Sequence, residues 1–162
     1  MINSIYQLVS PHVFSVKYQQ IDNDEKVIVR PEYMAICHAD QRYYRGLRNP
    51  KDLAKKLPMA LIHECAGTVI KDNSGTYSPG QKVVLIPNVP GDKLDGIYEN
   101  YAPNSAFLSS GKDGFMRELV AINKDRVVAY ENILPSTAAI TEFVSVAVPV
   151  SYTHLRAHET GA

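Results

Sequence analysis

His63 and Glu64 set an imidazole beside a carboxylate in the run Leu61-Ile62-His63-Glu64-Cys65-Ala66-Gly67. A thiol lies upstream at Cys37, and a further carboxylate lies downstream at Glu142. Thiolate, imidazole and carboxylate are the ligand types of zinc. A catalytic zinc takes three protein ligands and keeps one position open for water or substrate. Cys37, His63 and either Glu64 or Glu142 make such a set. Each has a plainer reading: a free cysteine is most often a small buried hydrophobe, and a His-Glu pair is common on protein surfaces.

Asp40, three residues after Cys37, is spaced to orient a metal ligand from behind. Read without context, it is a solvated helix residue. Cys65 reads as packing rather than chemistry. Arg42, Arg45 and Arg48 place three cations within seven residues. The guanidinium fork suits a phosphate, and the same spacing suits a solvated face.

The elements that must hold these groups are mostly strands. Ile5 to Ser10 and Val13 to Tyr18 read as strands around Pro11-His12, and Asp22 to Glu25 as a polar turn. Lys26 to Arg30 is a strand that Pro31 ends or confines to an edge. Cys37 follows this strand and His63 precedes the next, so rigid backbone can hold both. Ala39 to Tyr44 reads as a short helix, and Asn49-Pro50 opens another through Lys56. Gly67 to Lys71, Lys82 to Pro87, Met116 to Ile122 and Arg126 to Tyr130 read as further strands. Asn88 to Gly114 is long and aperiodic, a kind of segment that is often functional. Ser136 is the expected N-cap of a helix over Thr137 to Val148.

Composition narrows the function classes. Seventeen basic residues balance 17 acidic ones, so no charge excess points to nucleic acid or an anionic membrane. The most apolar stretch, Ile133 to Val150, carries Glu142 and two prolines, which argues against a membrane span. Two cysteines cannot build a disulfide framework. With no signal peptide evident in Met1 to Gln20, a reduced, cytoplasmic setting is expected. The character changes after Val148. Residues 149–162 are read as a non-native tail, whose His154, His158 and Glu159 only imitate a metal site; the alternative is a native helix extension. The domain proper is expected over 1–148.

Four blocks occur in a telling order: Cys37-His38-Ala39-Asp40, His63-Glu64-Cys65-Ala66-Gly67, Ser78-Pro79-Gly80-Gln81-Lys82-Val83-Val84 and Asp113-Gly114-Phe115-Met116-Arg117-Glu118. Together they resemble the zinc-dependent medium-chain dehydrogenases, over about residues 1–148. Tyr33-Met34, Ile36-Cys37, Ala39 to Tyr44, Lys55 to Met59, Leu61 to Glu64, and Glu142 with Val144-Ser145-Val146 look like one branch, the ribulose-5-phosphate reductases of teichoic acid synthesis. The resemblance implies a mainly β fold with short helices, a GroES-like barrel that carries the zinc. In the complete protein a Rossmann domain for NADP(H) would follow. No Gly-x-Gly-x-x-Gly fingerprint occurs in this chain, so a fragment, nearly inactive alone, is expected.

By the same resemblance Cys37, His63 and Glu64 bind one catalytic zinc, Glu142 ligates the metal or holds its water, and Asp40 stands behind the ligands. Arg42 and Arg45 are the candidates for the substrate phosphate. A structural zinc is not expected, because Asn88 to Gly114 contains no cysteine. The implied reaction is reduction of D-ribulose 5-phosphate to D-ribitol 5-phosphate with NADPH. The implied partners are a sugar phosphate and, for the complete protein, room for a homodimer and a cytidylyltransferase. The alternatives are a polyol dehydrogenase with an unphosphorylated substrate, or a non-catalytic GroES-like module. Three positions depart from the wider family: Ala39 replaces a hydroxyl residue, Arg42 replaces a relay histidine, and Ile62 replaces glycine. A proton must therefore travel another way, through metal-bound water or a tyrosine such as Tyr43.

Overall fold

The computed structural model describes residues 1–21 and 25–148. Most of the turn read at Asp22 to Glu25, and the whole tail read at 149–162, lie outside the described residues. The first half of the chain forms strands β1 (Ile2–Ser10), β2 (Val13–Gln20) and β3 (Val27–Ala35), helices α1 (His38–Tyr44) and α2 (Pro50–Lys56), and strands β4 (Met59–Ala60) and β5 (Glu64–Asp72). The second half adds β6 (Lys82–Leu85), β7 (Asn88–Val89), β8 (Ala106–Phe107), β9 (Val120–Ile122), β10 (Val127–Ala129) and α3 (Pro135–Ala139). A further helical stretch, α4, covers 141–148.

Two antiparallel sheets carry the fold. One has the order β2-β1-β4; the other has the order β10-β6-β5-β3-β9. The chain between Gly114 and β9 joins them. Ile5 bridges to Arg117, and the buried Asn3 side chain both donates to Leu119 O at 2.8 Å and accepts from Leu119 N at 2.9 Å. The result is the curled half-barrel that the mainly β reading anticipates. Val27, Val29, Cys65, Val69, Val83, Leu85, Phe115 and Val120 fill it from alternate positions of neighbouring strands.

The strand β3 runs straight through Pro31 rather than stopping there. Its partner β9 pairs only with Val27 to Val29, so Pro31 lies on an open edge where its missing N–H breaks no ladder. Across β3 and β5 Pro31 faces Gly67. A Cβ on Gly67 would sit 2.2 Å from Arg30 O, which explains a glycine at this point of a central strand.

The helix ends were read less well. Asn49 caps α2 as expected, accepting from Lys51 N at 2.9 Å. The expected cap at Ser136 is displaced: α3 begins with Pro135 at its first position after Leu134, because a proline there needs no N–H partner. The helix also pauses at Ile140 before α4 starts. The long segment between Asn88 and Gly114 is not featureless. It holds the β7–β8 pair and a short 3-10 turn at Glu99–Tyr101. Among the described residues no helix is long and apolar enough to cross a membrane.

Candidate metal centre

The register of β3 on β5 brings the distant ligands together. Ala35 faces Glu64 across the two strands. Cys37 comes two residues after Ala35, and His63 comes one residue before Glu64, so both emerge at the same end of the sheet. Glu142 arrives from elsewhere. Helix α3 buries Ala138 and Ala139 against Ala66 and Val84, and this packing carries the start of α4 over the sheet end. There Glu142 Oε2 lies 3.8 Å from His63 Nε2.

Two triplets of potential ligands share His63: Cys37, Asp40 and His63, and His63, Glu64 and Glu142. In each, one ligand atom per residue lies within 4.8 Å of the others. Glu64 and Asp40 are buried, and the other three are half-buried. The residues singled out for a metal thus fall into two triplets joined at His63. Burial pushes the Cys37 thiol up to about 11, and the Asp40 carboxylate pushes the same way. Burial also raises the Glu64 carboxyl, helped by Glu142 and Asp40 and opposed by His63. Three acidic side chains and a thiol thus crowd one imidazole, and none of them forms an ion pair with Lys or Arg among the described residues. A divalent cation answers that excess of negative charge, and the mixed sulfur, nitrogen and oxygen donors suit zinc.

Asp40 is not a solvated helix residue. It is 3% exposed. Its Oδ2 accepts from Cys37 N and Cys37 Sγ, both at 3.1 Å. Its Oδ1 accepts from Ile62 N at 2.9 Å and from Ser109 Oγ at 3.1 Å. One carboxylate thus ties Cys37, the residue before His63, and the long middle segment into one unit. Sequence reading missed Ser109, which no motif marks. It also missed Phe107, whose ring meets the His63 ring edge-on with centroids 5.2 Å apart.

A strap holds the turn that leads into His63. Gly114 N donates to Ala60 O at 2.8 Å, Met116 N to Leu61 O at 3.1 Å, and Phe115 N to Ile62 O at 2.7 Å. Asp113 Oδ1 accepts from Ala60 N and Gln7 Nε2, each at 2.8 Å. A Cβ on Gly114 would lie 2.3 Å from Ile62 O and 2.4 Å from Leu61 O, so the strap can close only over glycine. Ile62 itself takes φ 71. That is the left-handed region glycine occupies freely and a β-branched residue rarely enters, and it accounts for the glycine of the wider family at this position.

The arginine run divides. Arg42 and Arg45 are exposed. Arg45 lines an apolar cleft of about 610 Å³ with Phe14, Ile36, Tyr44, Leu61 and Met116. Arg48 instead stacks its guanidinium on Tyr43, 4.4 Å from the ring centroid. Tyr43 is buried, and its hydroxyl accepts from Lys56 Nζ at 3.1 Å. Cys65 sits in the core with its thiol pushed by burial to about 12, in keeping with a packing role.

Residues 23–132 match the family model described as alcohol dehydrogenase GroES-like domain. The chain belongs to that family. Among curated GroES-like relatives, ribulose-5-phosphate reductase of Streptococcus pneumoniae is 61% identical over 149 residues, covering 90% of this chain and 43% of its own length. Ribulose-5-phosphate reductase 1 of Staphylococcus aureus is 50% identical over 150 residues, with 91% and 44% covered. The solved structure of S. aureus TarJ in complex with NADPH superposes with a TM-score of 0.72 at 41% identity, covering 91% of this chain and 40% of that one. The chain thus spans under half the length of the relatives it matches.

Proposed function

We propose that this GroES-like domain is the zinc-holding part of an oxidoreductase that reduces D-ribulose 5-phosphate to D-ribitol 5-phosphate with NADPH, in the service of teichoic acid synthesis. The observation that carries the reading is the approach of Cys37, the adjacent pair His63 and Glu64, and Glu142, from three separate stretches of chain, at one sheet end. The relatives' names supply the substrate, and the NADPH held by TarJ supplies the cofactor.

Cys37, His63 and Glu64 would hold the ion, with Glu142 binding it or its water. Zinc supplies Lewis acidity toward a carbonyl oxygen. The chain's own residues do the rest. Asp40 fixes the Cys37 sulfur and the approach of His63 through the contacts above, so the ligands are set before substrate arrives. Phe107 packs its ring against the His63 ring in a T-shaped contact that helps to hold the imidazole in place. Arg42 and Arg45, exposed and without acidic partners among the described residues, are available to draw in a phosphate. NADPH would be bound outside residues 1–148, which would form the catalytic domain; 149–162 would be a non-native tail, and the chain alone would be nearly inactive. The complete enzyme works in the cytoplasm, with room for a homodimer and a cytidylyltransferase partner.

The test is an assay of this chain joined to the remaining half of its S. pneumoniae relative, with NADPH and ribulose 5-phosphate. Metal-dependent oxidation of NADPH, much faster with ribulose 5-phosphate than with ribulose, is expected. Equal rates with both sugars, or rates indifferent to removal of the metal, would overturn the reading.

A further inference from the structure

Beside the metal centre two cations converge on one buried phenol. Lys56 Nζ donates to Tyr43 Oη at 3.1 Å and to Ser110 Oγ at 2.9 Å. Arg48 stacks on the ring of the same residue, 4.4 Å from its centroid, and its buried Nε has no hydrogen-bond partner among the described residues. Neither cation forms an ion pair with a described carboxylate. Two like charges drawn to one ring repel each other, and cation–π attraction returns only about 0.5–2 kcal/mol per contact. An anion between them would remove the repulsion.

The surroundings connect this cluster to the metal ligands. Ser110 follows Ser109, whose hydroxyl donates to Asp40, and Asp40 in turn holds Cys37. Tyr43 lies one helical turn beyond Asp40 on α1, and both are buried on the same face. The cluster therefore borders the metal centre, on the loop and helix that frame it. Its donors are an ammonium, a guanidinium and two rotatable hydroxyls. That set matches a dianion with three acceptor oxygens better than a carboxylate with two.

We propose that Lys56, Arg48, Tyr43 and Ser110 form the subsite for the phosphate monoester of the substrate, apart from the exposed Arg42 and Arg45. The proposal rests on the sugar-phosphate reading above and assigns the residues that select for the phosphate. Lys56 would swing from the hydroxyls to the anion, and Tyr43 and Ser110 would turn their O–H groups toward it.

The experiment is calorimetric titration of the zinc-loaded, 162-residue chain with inorganic phosphate, ribulose 5-phosphate and ribulose at low salt. Ribulose 5-phosphate should bind more tightly than inorganic phosphate. Lys56→Met and Arg48→Met should each weaken ribulose 5-phosphate by about tenfold or more, the loss expected for a charge-assisted hydrogen bond. Both should leave ribulose and the zinc content unchanged. Arg42→Ala and Arg45→Ala should have the smaller effect. Tyr43→Phe keeps the ring under Arg48 and removes only the hydroxyl. It should weaken the phosphate ester alone, and it serves if the Met variants do not fold. Unchanged affinity in all three variants, absence of phosphate binding by the parent chain, or equal affinity for inorganic phosphate and ester would overturn the proposal. Repeating the phosphate arm after zinc removal separates the two readings. A Lys56-dependent phosphate signal without any zinc site would sink the metal account and spare this one.

Discussion

Asp40 Oδ1 accepts the backbone N–H of Ile62 at 2.9 Å, directly ahead of His63. The same carboxylate holds Cys37 through its other oxygen. Cys37 and Ile62, far apart along the chain, are thus set by one side chain. Asp40→Ala would strand the Ile62 N–H and the Ser109 hydroxyl in a buried site, at about 1–3 kcal/mol for each unmet group. Thermal unfolding should shift down by several degrees, and zinc affinity should fall by roughly 10–100-fold. A variant that melts like the parent and keeps its zinc would show that Asp40 is a bystander.

Gly114 tests the strap. Alanine there must push back the Leu61 and Ile62 carbonyls, which belong to the turn carrying His63. Overpacking of this kind costs about 1–3 kcal/mol, and here the displacement falls on a proposed ligand. Gly114→Ala should lose stability and zinc together. By contrast Gly75, in an exposed turn with nothing near its Cβ direction, should lose some stability as alanine through its φ of 70 and keep its zinc. Zinc titration and thermal melts on the two variants compare a contact with a conformational penalty.

Ile62 sets two effects against each other. Its left-handed backbone costs about 1–2 kcal/mol relative to glycine. Its side chain is buried with Leu8, Tyr43, Met59 and Leu61, and emptying such a site costs about 2–5 kcal/mol. The packing term is the larger, so Ile62→Gly should be net destabilised in a denaturant melt. A gain in stability would mean that the strain outweighs the packing.

The parts of the centre legible in sequence were those whose residue types carry the chemistry. Cys37, His63, Glu64 and Glu142 stand out because thiol, imidazole and carboxylate are the side-chain types that suit zinc, and β3 and β5 were legible from their β-branched runs. Asp40 was harder. A carboxylate on a short helix is normally solvated, and only the fold reveals the Ile62 and Ser109 donors, which lie 22 and 69 residues away. Ser109, Phe107 and Lys56 were invisible for the same reason: their roles arise from the path of an aperiodic loop across α1 and α2, which no local period encodes. Arg48 looked equivalent to Arg42 and Arg45, yet Tyr43 claims it alone. The N-cap of α3 was misread because Ser136 is a good capping type, whereas the fixed φ of Pro135 starts the helix at Pro135, with Leu134 as its cap.

Cobalt substitution probes the shared ion most directly. Cobalt(II) bound by a thiolate gives a sulfur-to-metal charge-transfer band in the near ultraviolet, and its visible bands report coordination number. The chain should bind one equivalent of cobalt with that band. Cys37→Ser should abolish the band, and His63→Ala should abolish tight binding. A cobalt complex that lacks the sulfur band in the parent chain, or keeps it in Cys37→Ser, would contradict a centre built on Cys37 and His63.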